Sequence, residues 1–318
     1  MRYGVPYTGS KNAIAKWVID QLPAGERLVD LFAGGCAITH AAMLSGKWER
    51  FLANDIDDAP QMFYDAIHGK YADRTEWVSH DDFFERKDAD PFVRLCWSFG
   101  NDGHSYMYSR ELEPYKRAVH MELTAPTLNE RYIAHREAVR LLIELVRGNR
   151  TSDKSLEQLQ SLGRLERLQS LESLKSLKSL ESLECLQSLE RLQSLESLKR
   201  LQSLESLKRL ESLEVTRMDY RDVTLMPGDI VYCDIPYRGT GAKYCKGFDY
   251  EAFYDWAEAQ TVPVYISEYD MPEERFEPIA KTVRRGHLCA TKNNNYKTER
   301  IYRARNAGQK WSGTAAAP

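Results

Sequence analysis

Four consecutive residues, Asp234-Ile235-Pro236-Tyr237, are of types that can handle a planar amine. They follow Ile230-Val231-Tyr232-Cys233, an apolar run that reads as a buried strand. An acid, a rigid proline and an exposed aromatic at the C-terminal edge of a strand make a pocket where open α/β sheets bind ligands. The Asp234 carboxylate and a backbone carbonyl can accept two hydrogen bonds from an exocyclic NH2, and Tyr237 can stack on the ring. An ordinary strand-to-turn transition also uses Asp and Pro, so the tetrapeptide alone leaves both readings open.

A second constellation lies near the N-terminus. In Phe32-Ala33-Gly34-Gly35 the glycines let the backbone approach a ligand and turn sharply into a helix. Asp55 follows Gly34 by 21 residues, the spacing of a carboxylate that accepts ribose hydroxyls. Nicotinamide-dependent dehydrogenases share this layout, and a Gly turn can be purely structural.

The elements that must carry these residues alternate between helix and strand. Residues 11–22 place Ile14, Trp17, Val18 and Leu22 at helical spacing, stopped by Pro23-Ala24-Gly25. A strand over 27–32, a helix over 36–44 ended by Gly46, and a strand over 51–55 make one βαβ unit with a parallel sheet. Residues 71–150 read as mixed and largely helical, ending in an amphipathic stretch over 138–146. Further strands are expected at 215–218, 230–233 and 262–266, and helices at 251–258 and 273–280. A closing strand pair is expected over 282–290 and 300–303. The pattern is α/β: a Rossmann-like sheet with a smaller region between its halves.

Between these halves the chain repeats a three-residue unit from Ser155 to Glu214, 60 residues that leave 258 for everything else. Leucine stands at every third position from Leu156 to Leu213, twenty in all; Ser precedes thirteen of them and Arg five. On an α-helix successive leucines would drift by about 60° and leave no fixed face over such a length. Heptad coiled coils need 3.5 residues per repeat. A solenoid with one inward Leu per side is the favoured reading, a long helical insertion is the alternative because Leu, Glu, Gln, Lys and Arg favour helix, and disorder is the third. The near-neutral charge makes the block a poor phosphate binder. It reads as a spacer or a surface for a protein partner, and its removal from Leu156 to Leu213 is expected to spare the chemistry.

Net charge is −3, yet residues 281–318 hold nine Lys or Arg against one acid, Glu299, so the remainder is near −11. A solvated basic face explains such a run, and phosphate contact is the sharper reading. Six cysteines are spread singly without a Cys-x-x-Cys pair, which argues against zinc; reduced thiols in the cytoplasm are expected. No apolar run is long enough to span a bilayer, and the first residues lack an export-type apolar stretch. A monomer is expected, without membrane or metal.

Taken together, these motifs resemble the Dam-type DNA adenine-N6 methyltransferases over nearly all of the non-repeat chain. Gly9-Ser10-Lys11 looks like the family's opening methionine-binding motif. Asp30-Leu31-Phe32-Ala33-Gly34-Gly35 is similar to its S-adenosyl-L-methionine loop, with Cys36 where the family has Gly. Asn54-Asp55-Ile56-Asp57 resembles the ribose-binding strand end, and Met218-Asp219-Tyr220-Arg221-Asp222 the motif whose Asp holds the cofactor adenine. Asp234-Ile235-Pro236-Tyr237 resembles the catalytic Asp-Pro-Pro-Tyr, with Ile235 for the first Pro. Val264 to Asp270 resembles the following strand, and Lys297-Thr298-Glu299 the closing hairpin.

The resemblance implies S-adenosyl-L-methionine as cofactor and double-stranded DNA as partner, in enzymes found in phages and restriction-modification systems. It implies catalytic roles for Asp234, Ile235, Pro236 and Tyr237. Cofactor contacts are implied for Tyr7, Lys11, Asp30, Phe32, Gly34, Gly35, Asp55, Asp219 and Tyr220. DNA contacts are expected from Asn101, Ser105, Arg110, Lys116, Arg117, Asn293 and Lys297, in polar segments that read equally well as surface loops. The expected domains are 1–70, the cofactor half; 71–154, target recognition; 155–214, the repeat; and 215–318, the catalytic half. The expected reaction is methyl transfer to a flipped-out adenine. Competing readings are a methyltransferase acting on RNA or another amine, an S-adenosyl-L-methionine-binding scaffold that no longer turns over, and a dehydrogenase, for which no catalytic acid or base can be placed.

Overall fold

The computed structural model describes residues 2–148, 193–204, 207, 212–238, 247–285 and 296–305. The chain forms two compact units, one of Met1–Ala72 with Arg200–Pro318 and one of Asp73–Lys199.

The first unit is built on seven strands in the order β3-β2-β1-β4-β5-β7-β6. They are β1 (Arg27–Asp30), β2 (Arg50–Asp55), β3 (Leu213–Arg217), β4 (Asp229–Cys233), β5 (Val264–Glu268), β6 (Phe276–Arg285) and β7 (Tyr296–Ala304). Neighbours from β3 to β5 run parallel, and β7 is wedged antiparallel between β5 and β6. Every residue of β1, β4 and β5 is buried, as expected of parallel strands covered on both faces. Val29, Val231, Val264 and Ile266 pack with Phe253, Tyr254 and Phe276 into the main core.

Helices α1 (Ala15–Gln21), α2 (Ala37–Ser45) and α3 (Ala59–Ile67) lie along the N-terminal part, after a 3-10 turn at Lys11–Ala13. Gly46 closes α2 in the left-handed region, at φ 69°, where a Cβ would be strained. At the bottom of the sheet Arg27 forks onto Asp229, Nε to Oδ1 at 2.8 Å and a terminal nitrogen to Oδ2 at 2.6 Å, and ties β1 to β4.

In the second unit are α4 (His80–Arg86), α5 (Pro91–Cys96), α6 (Glu113–Thr124) and α7 (Leu128–Gly148). Ser79 and Asp82 form a reciprocal capping box at the start of α4. Trp77 stacks on Tyr108 and meets Trp97 and His120 edge-on. Tyr115, Ala118 and Val119 of α6 pack on Ala138 and Leu142 of α7.

Two expectations change. The helix expected over 273–280 is the start of β6. Its Glu-rich composition favours helix locally, but pairing with β7 overrides that preference. Pro278 is tolerated because β6 is the sheet edge and the register shifts between Pro278 and Ala280. Within the repeat, Gln193–Ser203 is an α-helix, here α8, and not a solenoid coil. Over so short a stretch the leucine drift sweeps only half the helix. Leu198 and Leu201, and Leu204 just beyond, therefore stay buried on one side. Residues 155–192, 205–206 and 208–211, most of the block read as a solenoid, lie outside the described residues. Helix α9 (Tyr250–Ala259) falls where the sequence places one, capped by Asp249 Oδ1 accepting from the Ala252 amide at 3.0 Å.

Candidate active site

The strand order reverses between β1 and β4: from β1 the chain moves outward to β2 and β3, from β4 to β5 and beyond. A crevice is expected at the carboxyl ends of that pair. A cleft of about 560 Å³ opens there, and all thirteen residues expected to serve catalysis or the cofactor line it. The glycine loop leaves β1, and the Asp234 tetrapeptide leaves β4.

The glycine loop is shaped by close contacts. Gly34 has φ 46°, and a Cβ on it would lie 2.8 Å from Tyr7 Cε1; on Gly35 it would lie 2.6 Å from Tyr7 Cβ. Tyr7 thus packs where only glycines leave room. Cys36 takes φ 57°, a left-handed bend that a glycine would take without strain. Asp55, at the tip of β2, accepts from the Gly34 amide at 2.8 Å and the Asp57 amide at 3.0 Å. Behind the loop, Asn54 bridges three strands, donating to the Leu31 and Met218 carbonyls and accepting from Thr216 Oγ1 at 2.8 Å.

Asp30, 1% exposed at the end of β1, accepts from Thr39 Oγ1 at 2.7 Å, while its other oxygen has no partner among the described residues. Burial, with the charges of Asp234 and Asp55 adding to it, pushes its carboxyl up to about 7. Phe32, Tyr220 and Phe248 form an aromatic wall, with centroids 5.4 Å and 5.9 Å from Phe32. Asp219 is held by Arg221, whose Nε donates to Oδ1 at 2.8 Å.

Around Asp234 the structure adds a network, and with it Glu299, that sequence reading missed. Lys11 Nζ lies 3.0 Å from Asp234 Oδ1 and 3.3 Å from Glu299 Oε1. Burial alone would lower this ammonium, but the two carboxylates together hold it above its ordinary range. The Tyr237 hydroxyl donates to the same Glu299 oxygen. Lys11 Nζ sits 4.0 Å from the Tyr237 ring centroid, and Tyr269 meets that ring edge-on at 4.5 Å. Tyr237 is therefore buried and tethered, not the exposed aromatic expected. Tyr250 donates to the Pro236 carbonyl at 2.9 Å. Glu299 is fully buried, and burial raises its carboxyl to about 7 against the opposing pull of Lys11. Its signal in the sequence is that it is the sole acid of the basic segment.

The residues expected on DNA fare unevenly. Asn101, Ser105, Arg110 and Arg117 belong to the second unit. Asn101 donates to the Leu95 carbonyl at 2.8 Å in a loop closed by the Ser98–Tyr106 bridge. Ser105 is exposed, its amide donating to Asp102 at 3.0 Å. Arg110 pairs with Asp81 at 3.2 Å across an exposed surface, and Arg117 is exposed. Lys116 is corrected: it is buried, with its ammonium 5.8 Å from the Tyr108 ring, and does not present a charge to solvent. Lys297 is exposed beside the Tyr269 ring, at 4.9 Å. Asn293 lies outside the described residues. Several arginines of the basic run are used internally: Arg300 donates to the Tyr269 carbonyl, Arg303 to Glu277 and Arg305 to the Glu273 carbonyl.

Among the described residues no group of His, Cys, Asp and Glu is arranged to hold a metal ion, and no helix is long and apolar enough to cross a membrane. Comparison with curated proteins gives no match. Comparison with family models shows a similarity beginning at Tyr7 of the cleft wall: residues 7–140 match the model of the D12 class N6 adenine-specific DNA methyltransferases.

Proposed function

We propose that the protein transfers the methyl group of S-adenosyl-L-methionine to N6 of an adenine flipped out of double-stranded DNA. The observation that carries this reading is the shared cleft: the Asp234 tetrapeptide opens onto the same 560 Å³ space as the glycine loop and Asp55. The residues present fit the cofactor. Gly34 and Gly35 leave the backbone open to close approach, Asp55 stands at the ribose position, and Phe32, Tyr220 and Asp219 suit the adenine ring and its amine. Tyr7 and Lys11 complete the wall. Cys36 keeps the left-handed bend despite its side chain, which argues against a scaffold with lost activity.

S-adenosyl-L-methionine, when bound, supplies an electrophilic sulfonium methyl group. The chain's own residues do the rest. Asp234 and the Ile235 carbonyl accept the two N–H bonds of the target amine and favour a localised lone pair on N6. Lys11 supplies the counter-charge that keeps Asp234 in place, sharing itself with Glu299. Tyr237, locked by Glu299 and Tyr269, stacks on the base and offsets part of the unstacking cost, a few kcal/mol. Positioning and charge matching do most of the work in such a site. Exposed Ser105, Arg110, Arg117 and Lys297, with half-buried Asn101, are the residues proposed to meet bases or phosphates.

Labelled cofactor and unmethylated duplex DNA test the proposal directly. Label should reach the DNA, and digestion to nucleosides should yield N6-methyladenine. Asp234→Ala should abolish transfer while cofactor binding persists; an active Asp234→Ala protein would refute the assignment.

A further inference from the structure

We propose that Arg200, a residue of the leucine repeat, is a positioning residue of the cofactor cleft, clamping residues 3–7 onto the glycine loop. The inference rests on the cofactor assignment above and extends it to a residue that does not itself line the cleft.

Residues 3–7 form the outer support of the glycine loop. The Val5 amide donates to the Gly35 carbonyl at 2.8 Å. Gly4 sits at φ 68°, where a Cβ would come within 2.0 Å of that same oxygen. Tyr7 then fills the space beside Gly34 and Gly35, and the chain continues through Lys11 into the cleft wall. The loop and this segment are therefore as close as two backbones can be, and whatever moves one moves the other.

Residues 3–5 belong to no helix or strand, so side chains must hold their backbone groups. Three do. His40 Nδ1 accepts from the Gly4 amide at 2.9 Å, and Asn12 donates to the Tyr3 carbonyl at 2.9 Å. Arg200 Nε donates to the Gly4 carbonyl at 2.7 Å, and a terminal nitrogen donates to the Tyr3 carbonyl. One guanidinium thus spans two successive carbonyls, the fork geometry at which arginine excels. Burial, and then the nearby Arg200 charge, lower His40 to about 4, so its Nδ1 stays an acceptor at neutral pH.

The clamp has firm footing. Leu201 and Leu204 are buried beside it, and Gln202 donates to the Ala72 carbonyl at 2.8 Å. The repeat mostly places Ser before Leu, and a Ser at this position is too short to reach either carbonyl. Arg200 is thus a departure from the majority unit at the place where the repeat touches the cleft support. The sequence-based expectation that removing Leu156 to Leu213 spares the chemistry changes accordingly, since that stretch contains the clamp.

The test uses the full chain. Arg200→Ser restores the majority triplet, and Arg200→Lys keeps the charge but loses the fork. Cofactor dissociation constants are read by calorimetry, and exchange of the Gly4 and Val5 amides is read without ligand. Arg200→Ser should weaken cofactor binding about tenfold, the scale of one charge-assisted hydrogen bond, and speed those two amides by a similar factor. The rate at saturating cofactor should change less than about twofold, and Arg200→Lys should be intermediate. Lys199→Ala, exposed on the same helix and off the segment, should leave both readouts unchanged. Unchanged affinity and unchanged protection in Arg200→Ser would overturn the clamp, as would exchange raised uniformly across the chain. Should Arg200→Ser fail to fold, the same two unchanged readouts in Arg200→Lys overturn it. If the unaltered chain binds no S-adenosyl-L-methionine, the cofactor reading fails, and the ligand-free amide exchange still decides the clamp.

Discussion

Replacing Asp30 by Asn converts a buried acid into a neutral group of the same shape, and the structure sets the size of the effect. Asp30 is 1% exposed, keeps one hydrogen bond from Thr39, and is raised from 3.8 to about 7. A shift of about three units at about 1.4 kcal/mol each corresponds to roughly 4 kcal/mol between the protonation limits. For an acid raised in the folded state, the folded chain holds the proton more tightly than the unfolded one. The associated stability is complete below the unfolded value and is lost as pH rises through about 7. The original protein should therefore lose stability relative to Asp30→Asn from about pH 4 to pH 7.5, steepest near 1.4 kcal/mol per pH unit. Urea unfolding of both proteins at half-unit pH steps measures this. Any constant penalty from the amide shifts the difference curve without bending it, and Glu268 and Glu299, also raised to about 7, titrate in both proteins and largely cancel. A difference that stays flat within about 0.5 kcal/mol from pH 5 to 8 would refute the argument.

Other substitutions test other parts of the frame. Arg27→Met strands Asp229, 1% exposed beneath the sheet, and should cost about 3–5 kcal/mol in denaturant unfolding. Cys36→Val puts a β-branched side chain at φ 57° and should lower the melting temperature clearly, by at least about 1–2 kcal/mol equivalent, whereas Cys36→Gly should be tolerated. Gly34→Ala should weaken cofactor binding about tenfold in calorimetry, the scale of about 1.4 kcal/mol, because its Cβ meets Tyr7 at 2.8 Å. Gly46→Ala, with open space around its Cβ, should cost only backbone strain and leave binding intact.

What the sequence showed depended on how local the signal was. The βαβ start is readable because Leu28, Val29, Leu31 and Phe32 form an apolar run interrupted only by Asp30, with two glycines soon after. The cleft was readable because each of its loops carries its own motif. The edge strand β6 was not: Glu273, Glu274, Glu277 and Lys281 speak for a helix, and only the partner β7, brought in from elsewhere, decides otherwise. Lys116 was misjudged because charge says nothing of which way a helix faces. Lys11 was recognised as a cleft residue, but its two carboxylate partners come from β7 and from the end of β4. Glu299 gave a faint sign as one acid among nine bases, and Arg200 none, since one triplet looks like the next.

The Lys11–Glu299 contact joins residues 288 positions apart in the chain. Ribosomes deliver about 5–20 residues per second, so Lys11 emerges roughly a quarter of a minute to a minute before its partner. Through that interval Asp234 and Tyr237 cannot reach their final arrangement, because the hairpin strand that tethers Tyr237 has not been made. A nascent chain can thus shape its glycine loop early while its chemistry waits for β7. Completion of the site is in this sense tied to the last strand of the sheet: chains that stop short of Glu299 lack the group that tethers Tyr237 and Lys11.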